Sequence, residues 1–236
     1  MPTQVTPVRT RPNLMRPECG VVVVSEWNVE SPERQSSTVE AYAEAWDSGT
    51  WPAGLLTCNL LRSNDGREIV VYGQWISEAH YYAAIESHIR PRLAEVDRAV
   101  PGIHRQAPDF FHLHRSRIRD TSIFPGCIVL ITFEFENPDS ERQKSFISTV
   151  FRTVDATLEQ PPGALGGHFH ISTDALRVLN YAEWATEEDH RRAVDGTGQG
   201  RIGSGPGWEA VNGFPGLKAA RFRRYAPALL LTQPRG

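Results

Sequence analysis

Apolar positions along the chain change their spacing in a regular rhythm. The run GVVVVSEWNV (residues 20–29) is continuous and β-branched, as expected of a buried strand. SPERQSSTVEAYAEAW (31–46) opens with a Ser cap and Pro-Glu before apolar residues at helical spacing, which predicts a helix. CNLLRSNDGREIVVYGQW (58–75) reads as two strands turning through Asn-Asp-Gly. SEAHYYAAIESHI (77–89) is Ser-capped and helical in pattern, and DFFHLHRSRI (109–118), after Pro108, predicts a last strand. The order β-α-β-β-α-β is that of a ferredoxin-like unit.

The rhythm then repeats. CIVLITFEF (127–135), SERQKSFISTVFRTVDATL (140–158), GHFHISTDALRVLNYAEW (167–184), TEEDHRRAV (186–194) and LKAARFRRYA (217–226) follow in the same order, the last after a Gly-rich stretch at 196–207. At an offset of 108, Cys19 matches Cys127, Glu26 matches Glu134, and Glu33, Arg34, Gln35 match Glu141, Arg142, Gln143. After one inserted residue, Pro52, Gly54, Ser63, Asp65, Tyr72, Trp75 and Glu78 match Pro161, Gly163, Ser172, Asp174, Tyr181, Trp184 and Glu187. The chain is therefore predicted to hold a mobile or surface-lying Pro-rich arm (1–18) and two ferredoxin-like α+β domains (19–120 and 121–236). A sheet with helices on one face needs a cover on the other, so the two halves are expected to pack sheet to sheet as an internal pseudo-dimer, a dimeric α+β barrel within one chain.

Composition narrows the function classes. A net charge of −3 and a pI near 6.2 give no electrostatic footprint for nucleic acid or an anionic membrane. The longest apolar stretches are far shorter than a membrane span, and the first residues lack the apolar core of a signal peptide, so a cytoplasmic protein is expected. Three cysteines without close spacing read as reduced, buried thiols.

The segments SEW, PERQ, PAGLL, NLLRSNDGREIVVYGQW and SEAHYYAAI resemble the antibiotic biosynthesis monooxygenase family of dimeric α+β barrels. The resemblance covers residues 19–119 and, more weakly, 127–225; in its tandem layout and Pro-rich arm the chain is similar to the angucycline ring-opening oxygenases of the jadomycin, gilvocarcin and kinamycin pathways. What this implies is O2-dependent oxygenation or ring opening of a polycyclic aromatic polyketide, with no metal or haem. Reduced flavin (FADH2 or FMNH2), with a flavin reductase as partner, is implied for the ring-opening members and not for single-domain anthrone oxygenases. Pairing of two chains is left open. The haem-degrading relatives of this fold imply an axial histidine about ten residues past the third-strand Trp; here those positions are Ile85 and Val194.

Candidate residues follow from alternation along the strands. In the first hairpin Leu56, Cys58 and Leu60 share one face, and Thr57, Asn59, Leu61 and Ser63 the other. In the second, Leu165, Gly167, Phe169 and Ile171 oppose Gly166, His168, His170 and Ser172. The polar face is expected to line a pocket under the helices. Asn59 stands where the resemblance implies an amide that holds a substrate carbonyl or peroxide. Gln74, replaced by Glu183 in the second copy, shares a face with Tyr72. His112 and His114, like His168 and His170, are paired about 6.6–6.8 Å apart by strand rise and are candidate general bases. Asn59, Gln74, His112 and His114 are thus the catalytic candidates; Trp27, Leu61, Tyr72, Trp75, His168, His170 and Trp184 are the substrate-binding ones. A His-x-His iron site completed by Glu134 or Glu183, and a non-catalytic polyketide-binding module, are the rival readings. The more faithful first copy is expected to carry the chemistry.

Overall fold

The computed structural model describes residues 5–7, 11–47, 50–156, 160–196 and 202–232. In chain order the elements are β1 (Val5–Pro7), β2 (Val21–Asn28), α1 (Pro32–Asp47), β3 (Leu55–Ser63), β4 (Glu68–Trp75), α2 (Glu78–Ala84), a π turn (Ile85–Ile89), α3 (Arg90–Ala99), β5 (His104–Arg105) and β6 (Asp109–Ile118). The repeat follows as β7 (Cys127–Phe135), α4 (Ser140–Ala156), β8 (Ala164–Ser172), β9 (Arg177–Trp184), α5 (Glu187–Asp195), α6 (Pro206–Asn212) and β10 (Leu217–Thr232). The class is the tandem ferredoxin-like α+β barrel predicted from the duplication.

The chain divides into unit 1, Met1–Phe110 with Tyr225–Gly236, and unit 2, Phe111–Arg224. This corrects the predicted boundary at 120/121. Residues of β6 from Phe111 onward pair with β8, and residues of β10 from Tyr225 onward pair with β3, so the last strand of each sequence copy does not end in that copy.

In unit 1 the strands run β10–β3–β4–β2, with β1 beside β10 and β5 beside β2. The first residues are therefore not a mobile arm throughout: β1 pairs with β10, and Leu14 is buried. Helix α1 starts where Ser31 Oγ accepts from Arg34 N, and its buried stripe, Gln35, Thr38, Ala41, Tyr42, Ala45 and Trp46, keeps the helical spacing read from the sequence. The second helix runs past the predicted end at 89. A π turn widens the backbone just before Pro91, which lacks an N–H, and α3 continues to Ala99.

Unit 2 orders its strands β6–β8–β9–β7, with β10 also pairing with β7. Asp139 caps α4 through Arg142 N, and Gln143, Phe146, Ile147, Val150 and Phe151 turn inward. The Gly-rich stretch predicted as a loop at 196–207 lies partly outside the described residues, and its end begins α6, with Pro206 in the first turn.

Both hairpins turn alike. Ser63 Oγ donates to Asp65 Oδ1, and Ser172 Oγ to Asp174 Oδ1, each at 2.6 Å. Gly66 has φ +76°, and its counterpart Ala175 holds φ +54°, where a Cβ costs on the order of 1 kcal/mol. Both hairpins also carry a bulge, between Leu55 and Thr57 and between Ala164 and Gly166. The extra residue shifts the alternation, so Leu55, not Leu56, joins Cys58 and Leu60 in the helix-facing core. No helix among the described residues is long and apolar enough to cross a membrane.

Candidate functional site

The helix-facing side of the sheet is the apolar one in both units, which reverses the predicted pocket face. In unit 1, Cys58, Leu60, Ile69 and Trp75 pack with Tyr42, Ala45 and Trp46 of α1 in one continuous cluster. The Tyr42 hydroxyl lies 3.2 Å from Cys58 Sγ, and burial pushes that thiol up to about 12. The Arg92 guanidinium covers the Trp46 ring at 4.5 Å.

Unit 2 is hollow at the same place. A cavity of about 370 Å³ lies between the helix-facing side of β7, β8 and β9 and the helices α4, α5 and α6. The repeat explains it. Tyr42 and Trp46 become Val150 and Val154, and Cys58, Trp51 and Tyr81 become Gly167, Gln160 and His190. All five replacements line the cavity, and each shrinks the side chain. The buried core of this unit is correspondingly split in two, one cluster around Phe146 and Phe169 and another around Val129 and Trp184.

The cavity wall is apolar with a few placed polar groups. Its flat surfaces are Phe133, Phe151, Phe169, Trp184 and Trp208, with half-exposed Phe222 at the edge. Asn180, which replaces Val71, is a residue of the wall, and its Oδ1 is buried with no hydrogen-bond partner among the described residues. Gly167 is its neighbour across the hairpin: a Cβ there would stand 3.4 Å from that oxygen, at ordinary contact distance.

His190 is 5% exposed and sits between two aromatic edges, Trp184 at 5.0 Å and Phe222 at 5.5 Å between ring centroids. Arg224 Nε donates to its Nδ1 at 2.8 Å. Burial, then the Arg224 charge, lower its pKa to about 4. Arg117 and Arg119 lie at the wall: Arg117 is ion-paired with Asp155, and Arg119 donates to Pro161 O at 3.4 Å. No carboxylate lines the cavity among the described residues.

Of the residues predicted from sequence, only Trp184 lines this cavity. Asn59, Leu61, Tyr72 and Gln74 lie buried on the reverse face of the unit 1 sheet, where Gln74 Oε1 accepts from Thr57 Oγ1 at 2.7 Å and both side-chain polar atoms of Asn59 lack partners among the described residues. Trp27 and Trp75 are core residues; Trp27 donates to Ser25 Oγ and lies under Arg105 at 4.3 Å, and Trp75 meets Tyr81 edge-on. His168 and His170 are buried on the reverse face of the unit 2 sheet. His168 Nε2 is 3.3 Å from Glu183 Oε2 and its Nδ1 2.9 Å from Ser116 Oγ; His170 has its pKa lowered to about 3, by burial first and His168 second. His112 and His114 occupy exposed positions of β6. No group of three or more His, Cys, Asp or Glu side chains stands together to hold a metal among the described residues, so the pairs with Glu134 or Glu183 are not gathered into a ligand set. The inverted face accounts for these placements. Asn180 and His190 were missed although the repeat marks them, as polar residues opposite Val71 and Tyr81.

No protein-family model matches the chain. A curated relative, tetracenomycin-F1 monooxygenase of Streptomyces glaucescens, is 31% identical over 51 residues, which is 22% of this chain and 46% of that protein; the match thus spans less than half of the relative's length. Among solved structures, an anthrone oxidase-like protein superposes with a TM-score of 0.70 at 15% identity over 91% of this chain and 94% of its own. A Lactobacillus acidophilus NCFM protein assigned to the monooxygenases gives 0.56 at 13% identity over 90% and 96%. At those identities the structural likeness is one of fold. The sequence likeness is local, confined to the 51 residues shared with the tetracenomycin-F1 monooxygenase.

Proposed function

We propose that the chain is an oxygenase that binds a flat, fused-ring aromatic polyketide in the unit 2 cavity and lets it react with O2. The observation that carries this reading is the cavity itself: apolar, walled by aromatic rings, and furnished with the unpartnered Asn180 Oδ1. Such a site suits a phenol or hydroquinone of the angucycline type, whose ring faces stack while its oxygens meet Asn180 and His190.

The chemistry then asks little of the protein. A phenolate is electron-rich enough to reduce O2 directly. Oxygen adds to a ring carbon para to the oxyanion, the resulting peroxide takes a proton, and loss of water leaves a quinone carbonyl. One oxygen atom enters the product and the other leaves as water, so no external reductant is needed for this outcome. The cavity contributes orientation of the ring, exclusion of bulk water and stabilisation of the oxyanion. Ring opening, with reduced flavin supplying two further electrons, is the finer form of the same proposal and rests on the family resemblance.

The test is incubation of metal-stripped protein with an anthrone and with a dehydrorabelomycin-like angucycline under 18O2, with and without reduced flavin. One 18O atom per product in the flavin-free arm supports quinone formation. A ring-opened product confined to the flavin arm supports the finer form. Asn180→Val should weaken substrate binding roughly three- to tenfold, the usual loss for one neutral hydrogen bond accepted from a substrate hydroxyl. Tight binding without turnover in any arm would instead identify a polyketide-binding module.

A further inference from the structure

Only three titratable side chains line the cavity among the described residues: Arg117, Arg119 and His190. An arginine has donors and no acceptor, so the 2.8 Å contact from Arg224 Nε makes His190 Nδ1 an acceptor. The neutral ring then carries its proton on Nε2. This nitrogen has no protein partner among the described residues, and its ring is clamped between two cavity-lining aromatics, Trp184 and Phe222. A ring so held cannot serve as a general base: one nitrogen is blocked and the other already protonated.

We propose that His190 is a catalytic residue acting as a fixed, neutral hydrogen-bond donor, through Nε2–H, to an oxyanion of the bound aromatic, with Arg224 as the positioning residue that holds this tautomer. The inference rests on the oxygenase reading for the identity of the ligand. It also changes that reading: with no base on the wall, the substrate enters or ionises as its own phenolate, and the cavity, bordered by arginines and free of carboxylates among its described residues, selects that anion. The charged groups around His190 are Arg224 from β10 and Glu187, Arg191 and Asp195 from its own helix α5, while β9 presents the uncharged Trp184. Burial and Arg224 oppose protonation of the ring, so the donor persists through the neutral range. In the first copy this position is Tyr81, a donor through its hydroxyl, but packed among Trp75, Tyr82 and Phe110.

Two measurements on the full chain test this without turnover. Nitrogen-15 spectra of the histidine rings should show His190 as the neutral Nε2–H form at pH 7, unchanged down to pH 5. In Arg224→Met the ring should lose that single tautomer and titrate between pH 5 and 7. With 1,8-dihydroxyanthraquinone as an absorbance probe, the bound phenol should ionise at lower pH than in water. His190→Phe should weaken binding of the phenolate roughly ten- to hundredfold, as loss of a hydrogen bond to a charged group does. His190→Gln, which keeps an N–H donor, should recover part of it. A protonated or Nδ1–H ring at pH 7 in the parent protein, or unchanged phenolate binding in His190→Phe, overturns the proposal. If these binding results hold while O2 uptake is absent, the oxygenase reading fails alone; if His190→Phe takes up O2 at the parent rate, the donor role fails alone.

Discussion

The two units share a hairpin, a turn, a bulge and a helix stripe, yet one packs a continuous aromatic cluster where the other holds a cavity. Unit 1 fills the space under its helices with Tyr42, Trp46, Trp51 and Tyr81 around Cys58. Unit 2 has Val150, Val154, Gln160 and His190 around Gly167, and a cavity of about 370 Å³. Duplication thus separated two demands that conflict within one domain. A packed interior maximises dispersion and apolar burial, and a binding site forgoes part of both. The copy whose hairpin carries the stronger resemblance is the one with the continuous packed cluster.

The sharpest way to break the contrast is to refill the hollow unit. Val154→Trp places in unit 2 the side chain that stands at Trp46, and should abolish productive binding, with kcat/KM falling by roughly a thousandfold or more while the fold survives, since filling a void removes no contact. A steady-state assay beside a thermal melt measures it; retained activity would move the site elsewhere. The converse change empties the solid unit. Trp46→Ala removes its contacts with Tyr42 and Trp51 and the Arg92 stacking, and should cost about 3–5 kcal/mol in chemical denaturation without creating activity.

Acid should act on the two units unequally. His170 and His190 have folded pKa values lowered to about 3 and about 4 from 6.5, whereas their counterparts Leu61 and Tyr81 take up no proton in acid. Below pH 6.5 the unfolded chain binds protons that the folded unit refuses, so stability falls as pH drops from about 6.5 toward 4, by at most roughly 1.4 kcal/mol per pH unit for each histidine. Hydrogen exchange across that range should open unit 2 first, and His170→Leu should flatten its slope. The smallest effect is expected at Asn59. Its amide is buried without partners on the reverse face, so Asn59→Leu should leave turnover within about twofold and raise stability by about 1 kcal/mol. A collapse of turnover there would return the chemistry to unit 1.

Much of the fold was legible along the chain. The offset of 108 to 109 announced the duplication, and Ser-x-Asp with Gly66 announced the hairpin turn, which Ala175 still adopts under strain. The site was less legible for two local reasons. One extra residue at each bulge moved the register, so a face assigned by strict alternation came out inverted at its start. Polar character along a strand does not mark the pocket either: His168, His170, Asn59 and Gln74 are buried behind the sheet and the cavity is mainly apolar, with Asn180 and His190 among its few polar points. A pairwise reading of the copies for side-chain volume, Tyr42 against Val150 and Trp46 against Val154, contains the signal.

Periodicity, caps and turns act over a few residues, and so the sequence by itself determined the element order, the tandem ferredoxin-like class and the inward stripe of each helix. Which unit holds the cavity, which strand ends complete which sheet, and which histidine nitrogen carries a proton depend on groups separated along the chain, Val154 and Gly167 in one cavity wall and Arg224 beside His190, and only the tertiary structure decided them. Packing and hydrogen bonding are short-ranged in space and indifferent to distance along the chain, which is the physical reason for that division.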